Sequence, residues 1–422
     1  MKDSNENKSL TALLIGVYRK SSEREICNEH LEELEHLADT CEIPVKGKVA
    51  CSLRKIETST YLTKGKLEEV VAYADELDVG VIIFDDEILP SQQRNLEGIF
   101  KRKVIDRTEV IIDVFAKHAR SKEARLQVEL AKVRYQLPRL KKLWNHLHRQ
   151  KGGGVHLKGE GEKQIEIDKR LLNTRISSLQ RDIEEVRMHR DTQRRARQRS
   201  GVPTFAIIGY TNAGKSTLLN ALTDAKVLVE DKLFATLDTT TREFVLPNNQ
   251  DILLIDTVGF IRKLPHTLIA AFKSTLEESV YADILLHIVD ASHPMFAEQA
   301  EATYEVLKEL NASDKQIITV LNKMDLCDDI SALNSMCINN PKTVAISALN
   351  GEGFEDLTNI MIRELSERVR IVKLRIPQSS YDIISEIMRH GRVLSQEYED
   401  NDIIVMAEIP AELVGKVAKF VE

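Results

Sequence analysis

The stretch Gly209-Tyr-Thr-Asn-Ala-Gly214-Lys215-Ser216 constrains this 422-residue chain more than any other. It fits G-x-x-x-x-G-K-S, follows the apolar run Thr204–Ile208 and opens the helical stretch Thr217–Leu222. A strand, a glycine-containing turn and a helix in that order make a phosphate loop, in which successive backbone N–H groups curl around phosphate oxygens at the positive end of a helix. The flanking pattern supplies the rest of that domain. Nearly continuous apolar runs at Asp251–Ile255, Ile284–Val289, Gln316–Leu321 and Thr343–Ile346 alternate with helical stretches. Buried strands separated by helices predict a doubly wound, largely parallel sheet over 201–368.

A phosphate loop implies a nucleotide, and three later motifs select which one. Asp256-Thr257-Val258-Gly259 follows the second strand, where Asp256 can hold Mg²⁺ through water and the Gly259 N–H can sense a γ-phosphate. Asn322-Lys323-Met324-Asp325 ends a later strand, and a carboxylate there accepts from N1–H and the exocyclic amine of guanine, which adenine does not present. Ser347-Ala348-Leu349 ends the next strand and would close over the base. Ligands of such sheets bind at the carboxyl ends of the strands, and the order of the motifs matches that edge. The expected nucleotide cradle is therefore Gly209, Tyr210, Thr211, Asn212, Ala213, Gly214, Lys215, Ser216 and Thr217, with Lys215 on the β and γ phosphates and Ser216 on Mg²⁺. Between the loop and Asp256 lies Phe234-Ala235-Thr236-Leu237-Asp238-Thr-Thr-Thr-Arg242. A threonine there completes Mg²⁺ coordination when the γ-phosphate is present. Thr236 is the choice, with Thr239, Thr240 and Thr241 as fallbacks; Lys215, Thr236 and Gly259 form the catalytic set. Phe260 stands where Ras-like enzymes place a water-orienting glutamine, so intrinsic hydrolysis is expected to be slow and completed by a partner. Asn212 has two readings, a potassium site in place of an arginine finger or a residue that tolerates a tight turn.

Outside this domain the pattern defines three more segments. Residues 1–112 carry the strands Ala12–Val17, Val49–Leu53, Val81–Phe84 and Val104–Ile105 between amphipathic stretches at Ile26–Ala38 and Leu67–Leu77, a small α/β domain. The pair Asp85–Asp86 ends one strand and reads as an acidic turn, with a cation site as the alternative. Residues 113–200 hold two heptad seams: Leu126, Leu130, Val133, Leu137, Leu140, Trp144 and Leu147, then Leu172, Ile176, Leu179, Ile183 and Val186. They predict an antiparallel helical hairpin, kinked at Pro138 and joined by a glycine-rich loop at 151–163. Residues 369–422 read β-α-β-β-α, a small C-terminal α/β domain.

Charge is unevenly spread. Residues 117–200 carry 23 Lys and Arg against 10 Asp and Glu, while the remainder holds 36 against 56. A basic arm on an acidic chain suggests a polyanionic partner such as RNA, the alternative being a solvated charged hairpin. Five scattered cysteines without a C-x-x-C pair argue against a disulfide framework or zinc site. The polar start MKDSNENK and the absence of a membrane-length apolar run predict a cytoplasmic chain with no membrane anchor, expected as a monomer.

The motifs GYTNAGKSTLLNAL, LFATLDTTTR, DTVGFI, NKMD and SAL resemble, in that order, the HflX family of bacterial GTPases. TYLTKGKLEEV at 60–70, the run from Val104 to Leu140 and the tip GGGVHLKGEGEKQIEIDKR at 152–170 are similar to family segments too. The resemblance implies a GTPase that associates with the large ribosomal subunit and its RNA in the GTP state and splits ribosomes during stress. An RNA-binding anti-association factor, in which GTP only sets conformation, is the alternative. A basic, glycine-tipped hairpin suits structured RNA read by shape and phosphate, with Lys151, Lys158 and Lys163 the first tip residues. The family commonly has an arginine where this tip has Val155-His156-Leu157-Lys158, so Lys158 keeps the charge without the bidentate fork.

Overall fold

The computed structural model of the protein describes residues 11–140, 158–200, 202–223, 233–234, 237, 239–265, 268, 278, 280–390, 392–399 and 401–422. Packing divides the chain into two compact units that cut across the four segments of the sequence pattern. The first takes residues 1–184 with 230–238 and 263–273; the second takes 185–229, 239–262 and 274–422.

In the first unit β1 (Ala12–Tyr18), β2 (Val45–Ser52), β3 (Val81–Phe84) and β4 (Lys103–Asp106) form an all-parallel sheet in the order β2-β1-β3-β4. Helices α1 (Arg24–Thr40), α2 (Lys64–Glu76), α3 (Pro90–Phe100) and α4 (Arg107–His118) alternate with the strands. Leu13, Ile15, Ile82, Phe84, Leu67, Leu96 and Val104 pack into one buried core. Pro90 begins α3, where its missing N–H is harmless. Asp106 ends β4 and at once caps α4, its carboxylate accepting from the Glu109 N–H at 3.0 Å. The Asp85–Asp86 turn does hold cations, and they are side chains. Arg107 meets Asp85 at 3.1 Å, and Lys263, from the segment 263–273, is ion-paired with both Asp85 and Asp86.

Ser121 caps α5 (Lys122–Gln136), the first helix of the hairpin, and the second is the long α6 (Lys158–Ser200). Leu126, Leu130 and Val133 pack against Leu172, Ile176, Leu179 and Ile183, so the two heptad seams meet as their spacing requires. At Pro138 the α-helical ladder of α5 gives way, and the residues beyond Leu140 that an expected kink would redirect lie outside the described residues. The α-helix stops at Gln136 and one tighter 3₁₀ turn, Leu137–Arg139, follows, because proline supplies no N–H to continue the ladder. Gly159 and Gly161 lie within α6, so the helix claims the last part of the expected loop. Trp144, Leu147 and tip residues 151–157, Lys151 among them, lie outside the described residues.

The second unit holds a six-stranded sheet in the order β10-β9-β8-β5-β7-β6. Its strands are β5 (Thr204–Gly209), β6 (Thr240–Val245), β7 (Asp251–Asp256), β8 (Ile284–Asp290), β9 (Gln316–Asn322) and β10 (Thr343–Ala345). All pairings are parallel except β6 with β7. Phe205, Ile207, Leu254, Leu286, Ile288 and Val320 fill the core with Leu218 and Leu219 of α7 (Lys215–Thr223). Helices α8 (Phe296–Glu309), α9 (Ile330–Asn339) and α10 (Phe354–Arg368) complete the alternation. The tail follows the expected order: β11 (Val369–Pro377), α11 (Tyr381–His390), β12 (Arg392–Glu399), β13 (Asp402–Pro410) and α12 (Ala411–Val417), with an antiparallel sheet β11-β13-β12. Among the described residues no helix is long and apolar enough to cross a membrane.

Candidate nucleotide site

The phosphate-loop motif leaves the end of β5 at Gly209 and enters α7 at Lys215. Two of its glycines are dictated by geometry. Gly209 has φ +146°, and a Cβ there would lie 2.2 Å from the Ile288 carbonyl oxygen; Gly214 has φ +93°, and a Cβ would strike the Asn322 amide at 2.2 Å. Asn212 also has a positive φ, 61°, so it serves the tight turn that was one of its two readings. The potassium reading is taken up below.

Three of the candidate residues converge on one point. The Ser216 hydroxyl donates to Asp256 Oδ2 at 2.7 Å, and Lys215 Nζ donates to the Tyr210 carbonyl at 2.7 Å. Asp256 Oδ1 is fully buried with no hydrogen-bond partner among the described residues. Burial raises the Asp256 pKa, opposed by the Ser216 hydroxyl, Lys215 and the Thr257 N–H. Burial also lowers Lys215 to about 8, with Asp256 opposing. A buried, orphaned carboxylate oxygen beside a serine hydroxyl is a donor set that suits a hard cation such as Mg²⁺. Gly259 packs directly on the loop: a Cβ there would sit 2.8 Å from the Thr211 methyl and 3.0 Å from Lys215 Nζ.

The other two motifs join the loop through one side chain. Asn322 Nδ2 donates to the Ala213 carbonyl at 2.7 Å, while its Oδ1 accepts from the Ala348 N–H at 3.0 Å. Asn322 thereby ties N-K-M-D to both the phosphate loop and S-A-L. Lys323, in a left-handed conformation, pairs with Asp290 at 2.7 Å, and the Met324 N–H donates to the Ile346 carbonyl. Asp325 is exposed in the short turn that follows, Ser347 Oγ accepts from the Asn350 N–H, and Leu349 is exposed.

Ala235, Thr236 and Asp238 lie outside the described residues. Phe234 and Leu237 are buried, and Phe234 stacks edge-on against Phe115 at 4.5 Å, so its side chain is committed to apolar packing in the first unit. Of the fallback threonines, Thr240 and Thr241 belong to β6, in register with Asp256 and Ile255. The Thr239 hydroxyl accepts from Arg190 of α6 at 3.2 Å. Val258 is buried, and the Thr257 hydroxyl donates to the Ile207 carbonyl, so both have framework contacts. Phe260 is completely buried, consistent with a side chain that orients no water. Sequence reading missed Arg190 and the Tyr210 hydroxyl; neither sits in a motif that announces a partner far along the chain.

A phosphate loop, D-x-x-G, N-K-x-D and S-A-L gathered at the carboxyl edge of one doubly wound sheet define a GTPase. Residues 28–116 match the family described as GTP-binding GTPase N-terminal, residues 118–197 its GTP-binding GTPase middle region, and residues 204–323 the family described as 50S ribosome-binding GTPase. The chain is 47% identical to the GTPase HflX of Chlamydia pneumoniae over 97% of its own length and 88% of that protein. It is 46% identical to the GTPase HflX of Lacrimispora saccharolytica over 98% and 97%. A GTP-binding protein from Sulfolobus solfataricus, solved in complex with GDP, is similar at 25% identity and a TM-score of 0.44, covering 85% of this chain and 99% of that one. The chain belongs to the HflX family of GTPases, and GTP is its substrate.

Proposed function

We propose that the chain uses GTP to engage the large ribosomal subunit in the cytoplasm, acting there to split or rescue ribosomes under stress. The observation that carries this reading is the basic arm, 23 Lys and Arg against 10 acidic residues over 117–200, on a chain with a GTPase site. The family descriptions support it. In this reading Lys215 meets the β and γ phosphates, the Gly259 N–H meets the γ-phosphate, Asp325 reads guanine, and Ser347, Ala348 and Leu349 close over the base. Ser216, Asp256 and Thr236 hold Mg²⁺, which when bound neutralises phosphate charge. Asn212 is the residue that would hold a potassium ion. The burial of Phe260 supports partner-stimulated hydrolysis, since that position offers no group to orient water.

The test is GTP turnover with and without purified large ribosomal subunits, in potassium and again in sodium. A large stimulation by the subunit is expected. No stimulation together with no GTP-dependent co-sedimentation would withdraw the ribosome and leave the GTPase. Equal rates in the two salts would remove the potassium role of Asn212.

A further inference from the structure

Three hydrogen bonds fasten the residues after Asp256 to the phosphate loop. The Phe260 N–H donates to the Gly209 carbonyl at 3.0 Å, and the Thr211 N–H donates to the Phe260 carbonyl at 2.8 Å. The third comes from a side chain: the Arg262 N–H donates to the Tyr210 hydroxyl at 2.8 Å, in a buried setting. Tyr210 and Phe260 also form a parallel bridge, so the two segments run side by side like short strands. With Gly259 already packed on Thr211 and Lys215, the stretch Gly259–Arg262 is fastened to the loop near both of its ends.

The fastening ends abruptly. Arg262 is the last residue of its stretch in the second unit, and Lys263 belongs to the first. Lys263 adopts a left-handed conformation, φ 51°, that non-glycine residues seldom take, and its ammonium is paired with Asp85 and Asp86. A GTPase of this class orders the segment after D-x-x-G through its γ-phosphate contact and releases it on hydrolysis. Here the backbone of Arg262 is held by Tyr210, and the next residue, Lys263, takes the left-handed conformation.

We propose that the Tyr210 hydroxyl is a positioning group for GTP hydrolysis: it pins the Gly259–Arg262 segment to the phosphate loop. Tyr210 acts through Gly259, whose N–H it holds at the γ-phosphate position, and it keeps Phe260 buried. The aromatic ring alone cannot do this, because the acceptor is the hydroxyl oxygen. The inference rests on reading Gly209–Ser216 as the phosphate loop.

Tyr210→Phe in the full-length chain removes that acceptor and keeps the ring. Affinities for fluorescent GDP and for a non-hydrolysable GTP analogue, kcat and KM, and amide exchange at Arg262 are measured beside the wild type, with melting as the check on folding. The preference for the GTP analogue over GDP is expected to fall roughly 5- to 20-fold, the loss of one buried hydrogen bond. The fall in kcat should exceed any change in KM, and the Arg262 amide should exchange faster. Tyr210→Met, which also lacks the acceptor, should shift the nucleotide preference in the same direction. An unchanged preference, or an equal loss for both nucleotides with a lowered melting temperature, would overturn the positioning role. Failure of the wild-type chain to bind GDP at all would instead overturn the phosphate-loop reading and the positioning role with it.

Discussion

His287 sits in the middle of β8, paired in register with Ile208 on one side and Thr319 on the other. It is fully buried, its ring meets the edge of Tyr304 at 5.0 Å, and neither ring nitrogen has a hydrogen-bond partner among the described residues. Burial, with a smaller contribution from the Lys215 charge, lowers its pKa from 6.5 to about 4. The unfolded chain therefore binds a proton between those values and the folded chain does not. Stability is undisturbed above pH 6.5, falls as pH drops below it, and levels off near pH 4. Between pH 7 and pH 5 this one side chain should remove about 2 kcal/mol. Urea midpoints at the two pH values are the measurement, and His287→Leu should flatten the part of the dependence that His287 causes. An identical dependence in the variant would place the proton elsewhere.

At the scale of elements, legibility followed apolar periodicity. Strands such as Val81–Phe84 were plain because four consecutive apolar residues are buried on both faces. Strand β6 was not, because Thr-Thr-Arg-Glu-Phe-Val is a polar edge strand, and it looked like the threonine loop that precedes it. Helix α3 was hidden for a subtler reason: several of its core-facing positions are polar. Gln92 donates to the Glu57 carbonyl, Gln93 donates to the Val104 carbonyl, and Glu97 accepts from the Val104 N–H, all as buried side chains. The nucleotide motifs were legible because each is contiguous. The pairs Tyr210–Arg262, Arg190–Thr239 and Lys263–Asp85 were not, since only the fold brings such distant residues together. The same holds for the polar hub under the hairpin. Arg139 donates to Asp106 at 3.1 Å, to the Ile88 carbonyl and to Gln93, and its guanidinium stacks on Tyr135. Tyr135 in turn donates to Asp106, whose carboxylate is wholly buried. Arg139→Ala would strand that carboxylate, a loss of about 3 kcal/mol. Amide exchange at Val104 and Ile105 should then quicken roughly a hundredfold. Unchanged protection would mean that the cap of α4 and the Tyr135 hydroxyl suffice to hold Asp106.

On the scale of the whole molecule, the organising fact is that charge and chemistry are segregated. The GTPase motifs lie at one edge of the second unit's sheet, whereas the basic excess follows the hairpin, whose second helix runs from the first unit's residues into the second's. Arg190, in the part of that helix that belongs to the second unit, donates to the Thr239 hydroxyl at 3.2 Å. If the hairpin is the RNA probe, its affinity should be electrostatic and its effect on nucleotide binding indirect. Reversing Lys151, Lys158 and Lys163 together to Glu should weaken co-sedimentation with large ribosomal subunits and leave GDP affinity in place. The salt dependence is the sharper measure. Each lost phosphate contact should flatten the slope of log affinity against log salt by roughly 0.7 to 0.9, so the triple variant should lose about two to three units of slope. Co-sedimentation and slope both equal to the wild type would take the tip off the binding surface and direct the search along the basic helices behind it.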